Sequence, residues 1–344
     1  METFTAAPSP GELKAGIADN YDTATTRFAL IVGTDTEMPS YNYGGFLGDY
    51  WYACLVGTDL MPEVAVGRLT GSSAQISHQV DKIINGYLQY SFNDGNTTGI
   101  VPSTTVLAAH QEQYPGKYTQ CCNELAAYDY GLCDVTFYKI YPPEGGTNAQ
   151  VSGWFNDGIG TVGYRGHGDV LEWSWNAPGK WTKTNIDALT NTFMPPVFNI
   201  ACYCGRYQQG ECLSESFQWA TGASSGNLGA NNPSYTVPNH DYMKQIYIKL
   251  FDDGVFNVAE AINEATVVTM AMHGNLGETN AKMYFWFGDP AMELFSNDTE
   301  NPQPLSIEAP ANFSTGSQTI TVTVTCNGNA VAGATASLSD GIDG

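Results

Sequence analysis

Positive charge is scarce in this chain. Its 344 residues carry 13 Lys plus Arg against 35 Asp plus Glu, a formal net charge of -22. Nucleic-acid backbones and anionic lipid surfaces are held mainly by Lys and Arg, so both are poor partners for it. A saline or extracellular setting suits such a surface, which also admits divalent cations as ligands. No apolar run reaches the length that a bilayer span requires, so no transmembrane segment is expected. The opening METFTAAPSPGELKAG lacks a basic stretch followed by an apolar one, and no signal peptide is visible. A cytoplasmic chain and a secreted chain whose leader has been removed both stay open, and the closing SLSDGIDG is expected to be a fragment boundary. Paired C-x-x-C motifs are missing too. The eight cysteines (Cys54, Cys121, Cys122, Cys133, Cys202, Cys204, Cys212 and Cys326) do not read as a disulfide framework at this length. Cys202, Cys204 and Cys212 make only a weak zinc set, because no second pair completes it.

What is present is the material of a folded core. Apolar residues make up 42% of the chain, with 20 Tyr, 15 Phe and 7 Trp. The length suffices for one large α/β core and a small second module. Apolar, β-branched runs predict strands near 27–33, 63–69, 104–110, 133–140, 160–166 and 196–202. Helical patterns lie between them. SSAQISHQVDKIINGYLQY puts Ile76, Val80, Ile83 and Ile84 on one broad face behind a serine cap. QCCNELAAYDYG ends at a glycine, a candidate C-cap, and KTNIDALTN is a shorter candidate. Further helices are predicted over roughly 239–251, 257–271 and 278–287. Strands alternating with helices predict an open, mostly parallel sheet covered on both faces. The polar, proline-bearing SNDTENPQP reads as a linker, and the alternating segment beyond it, with NGN at 327–329 as a hairpin turn, reads as a small all-β module.

In a parallel sheet, ligand crevices lie beyond the C-terminal ends of the strands. VGYRGHGD places His167 just past one strand, and NIACYCG places Cys202 at the end of the next. A cysteine protease needs a thiol nucleophile and an imidazole that can hold and pass a proton. Gly166 and Gly168 bracket the histidine and leave room for a substrate, while backbone N–H groups near Gly168 and Tyr203 are candidates to support an oxyanion. A histidine in a glycine-rich turn and a buried structural cysteine are the plain alternatives for each residue taken singly. Cys204 competes as nucleophile. Asp169 and His110, which ends another strand at the same rim, are open candidates for a third member.

At these residues the chain resembles the gingipain-type cysteine peptidases, which share a caspase-like fold with caspases and legumains. The resemblance rests on Gly166-His167-Gly168, Ala201-Cys202, Gly205, Cys212-x-x-Glu215, the VAVGRL segment at 64–69 and Phe287-Gly288-Asp289-Pro290, in order over residues 27–296. It implies a caspase-like three-layer sandwich with a mostly parallel sheet, residues 1–300, which admits a smaller N-terminal subdomain. An immunoglobulin-like β module, truncated, would occupy 301–344. It implies His167 as catalytic histidine, Cys202 as the acylated thiol and Tyr235, in Asn232-Pro233-Ser234-Tyr235, as a wall of the specificity pocket, with His110 and Lys117 as further pocket candidates. It also implies departures. The family's glutamate near the active histidine falls on the strand where this chain has His110. The acidic residue that reads an arginyl side chain falls near Gly116 and Lys117, and Cys204 stands at an asparagine-like position. Arginine specificity is therefore not carried over, and Lys117 in the pocket would favour an acidic or neutral side chain.

The expectation is a cysteine endopeptidase acting on protein or peptide substrates through a thiol acyl-enzyme, with no cofactor required for the chemistry and calcium as a structural ion. The resemblance further implies secretion or a cell-surface location, with a propeptide and a C-terminal export region missing from this chain. Two other readings stay open: a Cys-His transpeptidase, and a catalytically silent scaffold or surface-binding protein on the same fold.

Overall fold

A computed structural model describes residues 6–88, 101–132, 135–175 and 179–294, together with the strands Ser306–Glu308, Thr323–Cys326 and Asn329–Ala330. The main sheet has eight strands: β1 (Phe28–Val32), β2 (Ala65–Leu69), β3 (Val101–Ala109), β4 (Thr136–Ile140), β5 (Ile159–Arg165), β6 (Val197–Ile200), β7 (Asn227–Ala230) and β8 (Tyr284–Phe287). Their spatial order is β1-β2-β8-β7-β6-β5-β3-β4. All neighbours are parallel except β7 and β8. The sheet is thus two parallel blocks that run in opposite directions and meet at that seam.

The described α-helices of five residues or more are α1 (Pro10–Asp19), α2 (Ser73–Ile83), α3 (Tyr118–Ala126), α4 (Asn148–Asn156), α5 (Lys183–Asp187), α6 (Leu213–Trp219), α7 (Thr236–Phe251), α8 (Val258–His273) and α9 (Asn275–Met283). Alternate residues of each strand face opposite sides. Val106, Ala108, Val162 and Val197 join α4 and α6 in one core, and Leu107, Ala109, Phe198 and Ile200 join α3, α7 and α8 in the other. Phe155 and Phe217 are wholly buried in the first core, each contributing roughly 2 kcal/mol by leaving water. The same core holds a stack of rings, Tyr164 on Trp173 at 4.6 Å and Trp173 on Trp181 at 4.5 Å.

Three expectations fail for physical reasons. On α2 the serine cap is Ser72, but Val80 and Ile84 are 40% and 51% exposed, and Gln79 and Lys82 are buried beside Ile83. Lys82 Nζ donates to Phe217 O, Gln218 O and Ala220 O at 2.7, 3.2 and 2.9 Å, so the orphan carbonyls at the end of α6 claim that face. The helix near 121–131 ends at Ala126 with Ala127 as its cap, before Gly131 is reached. The pattern over 278–287 divides: α9 stops at Met283, and the aromatic run Tyr284–Phe287 is a fully buried strand.

Arg68 ties β2 to the segments that follow β1. It is wholly buried, with Nε and Nη2 donating to Asp49 at 2.6 and 2.9 Å and Nη1 to Gly33 O and Met38 O at 3.0 and 2.9 Å. The Tyr207 ring lies 5.3 Å from its guanidinium. A Cβ at the preceding Gly67 would fall 2.3 Å from Gly288 O and 2.7 Å from Pro290 Cδ, so VAVGRL and FGDP form one contact. Glu215, at the start of α6, accepts from Thr70 Oγ1 at 2.8 Å and from Cys212 N–H at 3.1 Å, and burial pushes its carboxyl up from 4.5 to about 7.

The chain divides into two compact units, residues 1–297 and 298–344. In the second, Ser306–Glu308 pairs antiparallel with Thr323–Cys326, which pairs in turn with Asn329–Ala330, Cys326 opposite Asn329. Residues 327 and 328 of the expected NGN turn lie outside the described residues. The linker segment SNDTENPQP lies outside the described residues.

Asp49→Ala leaves the Arg68 charge buried and unpaired, and is expected to cost about 3–5 kcal/mol in chemical denaturation; a loss below 1 kcal/mol would contradict this account of the pair. The protonated form of Glu215 is the one the fold favours. Its stabilisation is full below pH 4.5 and is lost as pH rises through about 7. Thermal melts should therefore show Glu215→Gln gaining on the wild type as pH rises from 5 to 8.

Candidate active site

Three neighbouring strands of the larger block end level with one another. Ala109 of β3 lies opposite Arg165 of β5, and Arg165 lies opposite Ile200 of β6. His110 comes next on the first, its N–H donating to Arg165 O at 3.0 Å. His167 stands two residues past the second and Cys202 two residues past the third. The strand expected to run through Cys202 stops at Ile200, where the chain bends: Ala201 N–H returns to Asn199 O at 3.0 Å, and Tyr203 takes φ 62°. This left-handed turn, costly for a residue with a Cβ, lifts the thiol out of the sheet. Of the described cysteines, Cys202 alone is not buried. The turn after His167 packs directly on the bend. A Cβ at Gly168 would sit 2.7 Å from Cys202 O and 2.9 Å from Cys204 Sγ, so only glycine fits.

His167 is held from several sides. Its carbonyl accepts from Tyr164 Oη at 2.6 Å, and Nε2 lies 2.5 Å from Glu112 Oε2 and 3.3 Å from Tyr118 Oη. The other Glu112 oxygen is 2.5 Å from Lys117 Nζ. Lys117 and then His167 hold the Glu112 carboxyl below its ordinary range, so it is ionised at neutral pH. The expectation that His110 stands in place of a carboxylate here is corrected: Glu112, two residues further on, supplies one. An acid shortly after the strand end was its only sequence signal. The loop must fold back to reach His167, with Tyr114 N–H donating to Gln111 O at 3.0 Å, and strand position alone does not reveal that.

His110 meets the catalytic candidate ring to ring, edge-on at 4.9 Å. Its Nδ1 accepts from Glu112 N–H at 2.9 Å, which puts the proton of the neutral ring on Nε2. Burial, followed by the neighbouring His167, pulls its pKa down to about 4. Lys117 is not a free pocket cation, since its charge is engaged by Glu112 and lies 4.6 Å from the Tyr118 ring. Asp169 accepts from Val170 N–H at 2.8 Å and makes no bond to His167.

On the thiol side, Ser234 N–H points at Cys202 Sγ from 3.4 Å and Ser234 Oγ lies 3.9 Å away. Tyr235 follows, 42% exposed at the start of α7, its N–H donating to Asn280 Oδ1 at 3.1 Å. Tyr203 N–H is directed at Asn232 O, a long 3.5 Å. Cys204 is wholly buried, and burial, then Cys202, push its thiol well above the ordinary range. It is a poor nucleophile there. An imidazole anchored by a carboxylate, at a strand end adjoining that of a part-buried thiol, is equipment for attack on an acyl carbon.

Among the described residues one group could hold a metal: His110, Glu112 and His167, each offering a ligand atom, all within 4.8 Å of one another. Two imidazoles do not suit calcium, which takes oxygen ligands. His110 is also poorly prepared for any metal, with Nδ1 occupied and Nε2 protonated. No described helix is long and apolar enough to cross a membrane.

With iodoacetamide on the native protein, Cys202 should be the one described cysteine alkylated, with Cys204 reacting only after unfolding. Peptide mass mapping reads this directly. Equal labelling of the two would remove the preference for Cys202.

The sequence model of peptidase family C25 matches residues 2–295. Gingipain R2 of Porphyromonas gingivalis is 26% identical over 329 residues, covering 91% of this chain and 42% of the relative. Gingipain R1 of Porphyromonas gingivalis is 24% identical over 317 residues, covering 88% and 31%. The chain thus spans less than half the length of these curated relatives. Among solved structures, the Arg-specific cysteine proteinase gingipain R (RGPB) superimposes with TM-score 0.71 at 22% identity, over 92% of this chain and 75% of that one. The complex of Porphyromonas gingivalis RgpB pro- and mature domains gives 0.72 at 19% identity, over 92% and 76%. The caspase-like sandwich is therefore shared.

Proposed function

The chain belongs to peptidase family C25, and from that premise we propose that it is a cysteine endopeptidase with Cys202 as nucleophile and His167 as its proton acceptor and donor. The observation that supports this reading is that a carboxylate-held imidazole and a part-buried thiol stand two residues past the ends of adjoining strands. Cys202 Sγ attacks the carbonyl carbon of the scissile peptide while His167 takes the thiol proton. Because Nε2 faces Glu112, the exchange falls to Nδ1. The proton then passes to the leaving amine, the C–N bond breaks and a thioester remains. Water, deprotonated by His167, hydrolyses the thioester and restores the thiol. Glu112 keeps the ring oriented and stabilises it when protonated.

We assign support of the oxyanion to the backbone at Gly168, which lies against the Cys202 carbonyl, in preference to Tyr203 N–H, which is turned toward Asn232. Tyr235 serves as the exposed pocket wall and His110 as a neutral side of the cleft. The catalytic domain occupies 1–300 and the immunoglobulin-like module 301–344. The chemistry is complete without a cofactor. Calcium enters this reading as a structural ion on oxygen ligands away from the histidine pair, and the setting is extracellular or cell-surface, with a propeptide and export region outside this chain.

The test is cleavage-site profiling on a mixed peptide library, with calcium and a reducing agent present. Cys202→Ala should abolish cleavage, and Glu112→Gln should lower kcat/KM by about two orders of magnitude while leaving native Cys202 accessible to alkylation. A folded, reduced wild type that cleaves nothing would favour a silent scaffold.

A further inference from the structure

Arg165, the last residue of β5, is 1% exposed, and the described residues offer it no acid. Nη1 reaches Ile200 O at 3.4 Å and Nη2 reaches Thr236 O at 2.6 Å, while Nε has no partner. Two carbonyls satisfy two of its donors and none of its charge. A buried cation is ordinarily paired, as Arg68 is by Asp49 in this same chain. Of the nearby lysines, Lys117 is engaged by Glu112 and Lys244 by Glu124 and Asp241. Arg206 at the same rim likewise meets no acid and has an idle Nε, but it is only part-buried, against the Tyr203 ring; of these two arginines Arg165 is the wholly buried one.

Its surroundings indicate what would answer it. One partner, Ile200, stands two residues before Cys202, and the other, Thr236, follows the exposed Tyr235. The guanidinium carbon lies 4.8 Å from the ring of Tyr118, whose hydroxyl is 3.3 Å from His167 Nε2. The cation thus touches residues that adjoin the thiol, the imidazole and Tyr235 in turn. A peptide that acylates Cys202 carries the side chain of its acylated residue on the carbon next to the acyl carbon, close to these residues. A carboxylate there could pair with the guanidinium through two parallel hydrogen bonds and use the idle Nε donor.

We propose that Arg165 is the specificity-determining residue of a pocket for an acidic side chain, so that the enzyme cleaves after aspartate or glutamate. This rests on the peptidase reading above. The chain's overall negative charge does not oppose it decisively, since at physiological salt exposed charges are screened beyond about 8 Å, whereas the buried guanidinium is not. Arg165 acts in binding and takes no part in proton transfer.

The library profile of the wild type should show acidic residues on the acyl side of the cut. In matched peptides differing only there, kcat/KM for Asp should exceed that for Asn by at least a hundredfold, and Arg165→Gln should collapse the ratio toward one. The ratio is unaffected by a general loss of activity. If Arg165→Gln does not fold, Arg165→Lys should narrow the ratio while still favouring Asp. A profile rich in basic or apolar residues, or equal use of Asp and Asn, overturns the pocket and leaves the peptidase standing. No cleavage at all by the folded, reduced wild type overturns both.

Discussion

The register between β5 and β6, Arg165 against Ile200, is the constraint on which the site depends. A slip of one residue would turn every side chain of one strand to the other face. Wholly buried residues on both faces make such a slip prohibitive. With the register held, two short excursions of equal length past the strand ends bring an imidazole and a thiol to the same rim. Gly168 then closes the gap between the excursions, because its missing side chain lets one turn rest on the carbonyl of the other. The chemistry is thus positioned by backbone pairing, and side-chain bonds refine the result.

Two buried arginines show how one residue type serves opposite ends. Arg68 is saturated: an acid takes two of its nitrogens, carbonyls take the third, and an aromatic ring lies beside it. It fastens the smaller block, through the Gly67–Gly288 approach, to the loop that follows β8. Arg165 is equally buried but keeps an unmatched charge. The difference separates a structural tie from a binding feature more surely than burial does.

Much of this was legible in the chain itself. Six runs of β-branched and aliphatic residues mark six of the main strands, and Gly-His-Gly with Ala-Cys marks the two candidate groups. The Ser72 cap is read from local chemistry alone. Failures fall where tertiary demands override pattern. Tyr284–Phe287 follows the helical segment ending at Met283 with no Gly or Pro to separate them, and pairing with β7 makes it a strand. The buried face of α2 is set by the unsatisfied carbonyls of another helix. Glu112 meets His167 across 55 positions, through a loop whose return no periodicity announces.

The ring stack behind the histidine turn has an optical consequence. Tyr164, whose hydroxyl holds the His167 carbonyl, lies at 9° to the Trp173 ring, and Trp173 in turn overlies Trp181. Chromophores so close and so nearly parallel share their excited states. The near-ultraviolet dichroism of the protein is therefore coupled, through one hydrogen bond, to the placement of its imidazole, and a displacement of that turn by a bound molecule would be visible without any added label.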